Sequence, residues 1–373
     1  MHNSEWVQEI AKKIKEKETV VAKRNKGKIP YTTDEGRFDN QSKENICWWT
    51  NGFWGGMMWQ LYKATQDDVF RQIAEENERQ LDAVLMTSQG LDHDNGFKWL
   101  PTSVANYKMT DNLTSKNRAL LAANNLAGRY NLAGSFIRAW NDHGDSKNIG
   151  WAIIDCMMNL PLLYWASEET KDPRFKHIAV SHANMVAKNF IRDDGSSKHI
   201  VEFDPNTGDY IKSYGGQGYE EGSSWTRGQG WALYGFILSY LHTKDEKYLE
   251  VSKKIADYFI SNIPENGLIP VDFHQPEDCQ LEDSTASAIA ACGLIEISKA
   301  MGLDGKDKYM QAAHILLKTL AEKRFNWDLD TDNLLEKCTA AFHDNVHEFA
   351  IIYGDYYFIE AIWKLTGEEL FIW

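Results

Sequence analysis

The sequence has 373 residues, of which 43% are hydrophobic and 12% aromatic, so it holds enough apolar side chains for a large core and is not a disordered chain. Its formal net charge of −14 at pH 7 argues against nucleic acid and anionic membrane surfaces as partners. No apolar run approaches the roughly 20 residues that a membrane-spanning helix needs.

The amino-terminal segment and the cysteines indicate a cytoplasmic protein. Residues 1–17 are polar and lack the apolar segment of a secretory signal. The five cysteines are odd in number and form no C-x-x-C pair. We therefore interpret them as reduced thiols rather than as disulfides or zinc ligands.

Two kinds of helix alternate along the chain. Amphipathic helices with one apolar stripe are predicted at about 4–25, 68–87, 112–131, 173–190, 246–262 and 306–323. Helices that are apolar on most sides are predicted at about 51–65, 96–108, 151–169, 223–242, 283–302 and 344–365. Six apolar helices surrounded by six helices with one apolar stripe each make a double ring. We therefore predict an all-α (α/α)₆ barrel in which residues 1–373 form a single domain. An open solenoid is the alternative, but its repeats would each keep a solvent-facing side.

The longest predicted loops all precede the inner helices, so their polar residues should meet at one end of the barrel. Asp155 stands in the apolar stretch 148–160, which we interpret as part of a buried helix. A buried carboxylate must be paired, protonated or functional, because burying its charge alone is unfavourable. A second acidic residue, Asp94, precedes another inner helix, and we expect the two carboxylates to share one pocket.

Five motifs occur in a specific order at the heads of the predicted inner helices. They are Trp49-Thr50-Asn51-Gly52-Phe53-Trp54, His93-Asp94-Asn95-Gly96-Phe97, Ile153-Ile154-Asp155-Cys156-Met157-Met158-Asn159, Trp225-Thr226-Arg227-Gly228-Gln229-Gly230-Trp231 and Gly354-Asp355-Tyr356-Tyr357-Phe358. Over essentially the whole chain, this combination resembles the unsaturated glucuronyl hydrolases of glycoside hydrolase family 88. The resemblance implies an enzyme without metal or cofactor that removes a 4,5-unsaturated uronic acid from the non-reducing end of lyase-generated glycosaminoglycan oligosaccharides.

The same resemblance implies roles for individual residues. Asp155 would be the general acid and base, and Asp94 the second carboxyl that positions water or substrate and keeps Asp155 protonated. Arg227 would bind the substrate carboxylate, for which a planar guanidinium is well suited. The implied contacts to ring hydroxyls or water are His93, His199 and Gln217. The implied sugar-stacking rings are Trp48, Trp140 and Trp231.

Several alternatives remain open at this stage. A hydrolase of unsaturated rhamnogalacturonyl residues from pectin would use the same chemistry, a non-catalytic sugar-binding barrel would need no acid, and an epimerase would place histidines as acid and base.

Single residues also have alternative roles. Asp94 could be only a helix cap, and Arg227 could pair with Glu220 or Glu221. His343 and His347 have a spacing that could bind a metal, but no H-E-x-x-H pattern accompanies them and we favour no metal. The sequence leaves open the preferred disaccharide, its linkage and sulfation, the oligomeric state, and the role of the 324–343 loop.

Overall fold

The structure is a computed structural model and describes residues 2–87, 90–141, 146–302, 305 and 307–373. In this part of the chain, twelve long helical segments form two concentric rings. In chain order they are α1 (His2–Arg24), α2 (Phe53–Thr65), α3 (Asp68–Gln80), α4 (95–110), α5 (Leu113–Gly128), α6 (Leu160–Thr170), α7 (Pro173–Asn189), α8 (Thr226–Thr243), α9 (Glu246–Ser261), α10 (Ser284–Ala300), α11 (Lys308–Lys323) and α12 (Ile352–Thr366). The even-numbered helices form the inner ring and the odd-numbered helices the outer ring.

The inner ring is closed, and its helices are buried around most of their circumference. Each inner helix contacts the next, and α12 returns to contact α2. In α10 every residue from 284 to 298 is buried, whereas α9 in the outer ring buries a single stripe that includes Tyr248, Ile255 and Phe259. This contrast follows the predicted difference in hydrophobic pattern. The predicted (α/α)₆ barrel is confirmed, and ring closure excludes the open solenoid.

Tight turns connect the inner helices to the outer helices that follow them. Of the five inner helices that are followed by an outer helix, four end at a residue with left-handed backbone, namely Gln66, Asp111, Lys171 and Lys244. The next residue caps the following outer helix by accepting a backbone N–H bond with its side chain; these caps are Asp67, Asn112, Asp172 and Asp245. Each such cap typically stabilises a helix by about 1 kcal/mol. The short turns leave the long connections, and hence the functional loops, at the opposite end of the barrel.

Helix α4 is irregular. It consists of Asn95–Trp99, the π-helical segment Leu100–Val104, and Ala105–Thr110. Pro101 lies in the π-helical segment and has no N–H to donate, which accounts for the local change in hydrogen bonding.

Short strands and helices occupy the loops. Three antiparallel sheets pair β1 (Thr33–Asp34) with β2 (Arg37–Phe38), β3 (Tyr130–Asn131) with β4 (Phe136–Ile137), and β5 (Trp151–Ile153) with β6 (Ile200–Phe203) and β7 (Tyr210–Tyr214). The short helical turns are Gln41–Glu44, Trp49–Gly52, Asp82–Leu85, Ser146–Gly150 and Ile154–Met158. No helix among the described residues is both long and apolar enough to cross a membrane.

Two inner helices begin later than the hydrophobic pattern predicts. The predicted start of the third at 151 is wrong, because 151–153 form strand β5, 154–158 form a 3₁₀ turn, and α6 starts at Leu160. Pro161 occupies the first turn of α6, where a missing N–H is tolerated. The predicted start of the sixth at 344 is also wrong, since α12 begins at Ile352 and the preceding chain pairs Cys338 with Phe349.

Candidate active site

A cavity of about 270 Å³ opens at the end of the barrel where the inner helices have their amino termini. Ten residues line it: Trp48, Trp49, His93, Asp94, Phe97, Trp140, Ile153, Asp155, Gln217 and Arg227. Seven of these were predicted from the sequence as site residues, and Trp49, Phe97 and Ile153 were not. The ends of helix dipoles around the cavity favour an anionic ligand.

Asp155 lies on the cavity wall, in the 3₁₀ turn between β5 and α6 rather than inside a buried helix. Its side chain is 15% exposed, so it is less buried than a position in an apolar inner helix would be. His199 lies behind it, with Nε2 3.6 Å from Asp155 Oδ2. The backbone N–H of Gln217 donates to His199 Nδ1 (2.9 Å), which leaves the ring proton of a neutral imidazole on Nε2, facing the carboxylate. His199 is therefore a support for Asp155 and does not line the cavity itself.

Asp94 forms an ion pair with its neighbour His93. The distance from His93 Nε2 to Asp94 Oδ2 is 3.4 Å, and both side chains are buried. Burial opposes charge on His93, but the charge and hydrogen bond of Asp94, together with Cys156, outweigh this effect and raise the pKa of His93 well above its ordinary value. Asp94 stands at the N-cap position of α4, yet its side chain makes no capping hydrogen bond. Helix capping therefore does not account for the carboxylate of Asp94, which instead lines the cavity.

Asn159 connects the two carboxylate-bearing segments. Its Nδ2 donates to Asp94 Oδ1 and to the backbone carbonyl of Asp155, both at 3.3 Å. Its Oδ1 accepts from the backbone N–H of Phe97 at 2.8 Å, which fixes the orientation of the amide. Gly96 lies so close that an added Cβ would approach Asn159 Oδ1 to 2.6 Å. Asn159 appears in the sequence motif, but the motif assigns it no role.

Arg227 lies at the start of α8 and is almost completely buried. Its Nη1 donates to Asp283 Oδ2 (2.8 Å) and to the carbonyl of Thr339 (2.5 Å), and its Nη2 donates to the carbonyl of Ala340. The alternative pairing with Glu220 or Glu221 is wrong, because Asp283 takes that place. Three of the five guanidinium N–H donors are thus used within the protein, which leaves two for a ligand in the cavity.

Trp231 does not reach the cavity, so its predicted role as a sugar-stacking ring is wrong. Its side chain is fully buried and packs against Phe97, with ring centroids 5.1 Å apart, and against Tyr357 at 5.5 Å. It belongs to the aromatic core beneath the cavity floor. Trp48 and Trp140 are half-buried on the wall, as a stacking role requires, and Trp49 joins them there.

The 337–343 segment lies behind the wall and supports Gln217 and Arg227 through backbone groups. The side chain of Gln217 donates from Nε2 to the backbone carbonyl of Ala340 (2.9 Å), and the backbone carbonyl of Gln217 accepts from the N–H of Phe342. His343 and His347 each contact a backbone carbonyl, those of Tyr219 (2.7 Å) and Phe342 (3.0 Å). Within the described ranges, no group of three or more His, Cys, Asp or Glu side chains is arranged to hold a metal ion.

Comparison with known proteins identifies the family. The sequence model of Glycosyl Hydrolase Family 88 matches residues 15–363. The chain belongs to this family. It is 38% identical over 338 residues to an unsaturated chondroitin disaccharide hydrolase of Streptococcus pneumoniae, covering 87% of this chain and 83% of that protein.

Solved structures agree with this assignment. The crystal structure of an unsaturated glucuronyl hydrolase from Streptococcus agalactiae superposes with a TM-score of 0.90 at 32% identity, covering 99% of this chain and 94% of the other. A second structure, described as a UGL variant with dGlcA-Glc-Rha-Glc, gives a TM-score of 0.87 at 32% identity and covers 96% of both chains. The family 88 protein described here is a glycoside hydrolase of the unsaturated glucuronyl hydrolase type. This finding favours the glucuronyl activity over the pectin hydrolase, the epimerase and the non-catalytic barrel.

Proposed function

We propose that residues 1–373 form one catalytic domain that removes the 4,5-unsaturated uronic acid from the non-reducing end of small glycosaminoglycan fragments, with unsaturated chondroitin disaccharides as the first candidates. The observation that carries this proposal is the presence of Asp155, Asp94 and Arg227 on the wall of one cavity. The names of the similar hydrolases support the substrate class. The reduced thiols expected from the sequence and the small substrate also lead us to propose that the enzyme acts in the cytoplasm.

The substrate is a vinyl ether, because its C4=C5 double bond is attached to the ring oxygen at C5. Asp155 donates a proton to C4, and a water molecule adds to C5 while returning its proton to Asp155. The product is a hemiketal at C5. Its bond from C5 to the ring oxygen breaks to give a ketone, and the hemiacetal left at C1 then expels the next sugar as an alcohol. General acid–base help of this kind is worth roughly 10²–10⁴-fold in rate.

The other wall residues hold the substrate and the water. The two remaining N–H donors of Arg227 bind the substrate carboxylate, while Trp48 and Trp140 stack on the sugars. Asp94, held by His93 and Asn159, orients the water or a ring hydroxyl. The Oε1 atom of Gln217 accepts from a sugar hydroxyl, since its Nε2 is already bonded to Ala340.

Turnover of purified unsaturated disaccharides tests the proposal. The ultraviolet absorbance of the C4=C5 bond should disappear with chondroitin, hyaluronan or heparin disaccharides, and mass spectrometry should show a free keto acid and the released sugar. An unsaturated rhamnogalacturonan disaccharide serves as the competing substrate. If the absorbance persists with every glycosaminoglycan disaccharide, or only the pectin fragment is consumed, the proposal fails.

A further inference from the structure

One face of the three-stranded sheet continues the wall of the cavity. Strands β5, β6 and β7 pair so that Ile153 faces Ile200, which faces Tyr214. Directly opposed residues in neighbouring strands project to the same face of a sheet. The second row of cross-strand partners on this face is Trp151, Glu202 and Lys212. Because Ile153 lines the cavity, the face that carries all these side chains begins at the cavity.

Aromatic rings form a continuous row from the cavity onto this face. Trp140 lines the cavity, and its ring centroid lies 5.8 Å from that of Trp151. The Trp151 ring lies 4.9 Å from that of Tyr214. All three residues are half-buried, whereas Ala152 and Val201 on the opposite face are buried. On their own face the three rings pack over the buried Ile153 and Ile200 and keep part of their surface accessible, whereas the opposite face is packed into the protein.

Polar groups accompany these rings. The hydroxyl of Tyr214 donates to the carboxylate of Glu202, and the ammonium of Lys212 sits 4.5 Å from the centre of the Tyr214 ring. A pyranose ring presents a C–H surface that stacks on aromatic rings and an edge of hydroxyls that needs donors and acceptors. Aromatic side chains with a polar handle match both requirements.

We propose that Trp151, Glu202, Lys212 and Tyr214, here called the outer sheet site, bind the second sugar on the reducing side of the bond that is broken. This inference rests on the proposed function, which places the unsaturated uronate beside Asp155 and the first following sugar against Trp140. A longer substrate leaving the cavity along the aromatic row would meet the outer sheet site next. A disaccharide would not reach it.

Chain-length dependence tests this site. We expect the wild-type enzyme to show a lower KM for an unsaturated chondroitin tetrasaccharide than for the disaccharide. Tyr214→Ala should raise the KM for the tetrasaccharide about three- to tenfold, which is the range that one aromatic stacking contact supplies. The KM for the disaccharide should stay unchanged. Tyr210→Ala is the matched control, since this exposed tyrosine lies on the same hairpin but pairs with Phe203 on the opposite face. Tyr210→Ala should leave the KM for both substrates unchanged.

Further variants separate binding from folding and from turnover. Lys212→Gln alters an exposed side chain. It should weaken binding of the tetrasaccharide and leave binding of the disaccharide unchanged. Calorimetry on Asp155→Asn, with both chain lengths, measures affinity without turnover, and the tetrasaccharide should bind more tightly. Equal affinities for the two lengths, or an equal loss on both substrates in Tyr214→Ala, would overturn the outer sheet site. Disaccharide turnover in that case would still uphold the proposed function, so the two failures can be told apart.

Discussion

Replacing Asn159 by Asp would test how the two carboxylates are held. The substitution keeps the size of the side chain and the oxygen that accepts from Phe97 N–H. It replaces the amide donor, 3.3 Å from Asp94 Oδ1, by a carboxylate oxygen. A bond that holds Asp94 in place thus becomes a contact between like charges.

The expected effect is large and depends on pH. Two unit charges about 3.3 Å apart repel by about 5 kcal/mol at an effective dielectric constant of about 20. A carboxyl pair under such repulsion keeps a proton to a higher pH than either group alone. Loss of the hydrogen bond to the charged Asp94 alone is worth about 1.5–3 kcal/mol, so kcat/KM should fall roughly 10- to 100-fold. The acidic limb of its pH profile should also move to higher pH.

The assay is the pH dependence of kcat/KM on an unsaturated chondroitin disaccharide, with thermal unfolding measured on the same samples. Asn77→Asp is the matched control, because Asn77 is also buried but donates to the backbone of Asn51, away from the carboxylates. The control should lose stability and keep the wild-type pH profile. If Asn159→Asp lowers activity without moving the pH profile, Asn159 supports only the local packing and our reasoning is wrong.

Three other predictions address separate parts of the molecule. Asp155→Asn should abolish turnover but still bind the disaccharide in calorimetry, and substantial activity in this variant would remove Asp155 from the central role. Trp231→Ala should lower the free energy of unfolding by about 3–5 kcal/mol, as expected for a buried ring, whereas Trp140→Ala should mainly raise KM; a KM effect of Trp231→Ala without a change in Tm would contradict its place in the core. Burial raises the pKa of Asp355 to about 7, although bonds from the N–H groups of Leu334 and Leu335 oppose this rise. Because the folded pKa lies above the unfolded value of 3.8, stability present below about pH 4 should be lost as the pH rises through 7, by on the order of 4 kcal/mol. Asp355→Asn should flatten the dependence of Tm on pH between about 4 and 7, and an unchanged slope there would refute this origin.

The helical rings were predictable because each helix is long and its pattern repeats. A 17-residue helix such as α10, apolar on all sides, can only be an inner helix in this fold. The short apolar stretch around Asp155 carries no such information, because a brief apolar run is compatible with a strand or a helix. Its partner strand, β6, lies about 50 residues downstream, and the pairing makes 151–153 the edge strand of a sheet.

The wall of the cavity was predictable only in part. The positions of the motifs placed Trp48, Trp140 and Trp231 at the same end of the barrel. They do not show how deeply each side chain is buried, and Trp231 lies beneath Phe97. Arg227 stood out as a cation, but its partner Asp283 is 56 residues away and has the sequence context of an ordinary helix cap. Asn159 and Trp49 belong to the motifs, but the motifs assign them no role, because that role depends on contacts between segments far apart in the sequence.

The charges of the site explain how an acidic protein can accept an anionic sugar. Asp94 is paired with His93, and Asp283 is paired with Arg227. The opposite charges within each pair therefore largely offset each other. Asp155 faces the cavity beside His199, whose Nδ1 accepts from the backbone N–H of Gln217. The repulsion predicted between Asp94 and Asp155 is therefore weakened by His93. A substrate carboxylate bound at Arg227 would bring a new negative charge close to Asp155, and such a neighbour favours the protonated acid that the reaction needs. In the mechanism proposed above, the substrate itself would therefore help to keep the proton on Asp155 until it is transferred to C4.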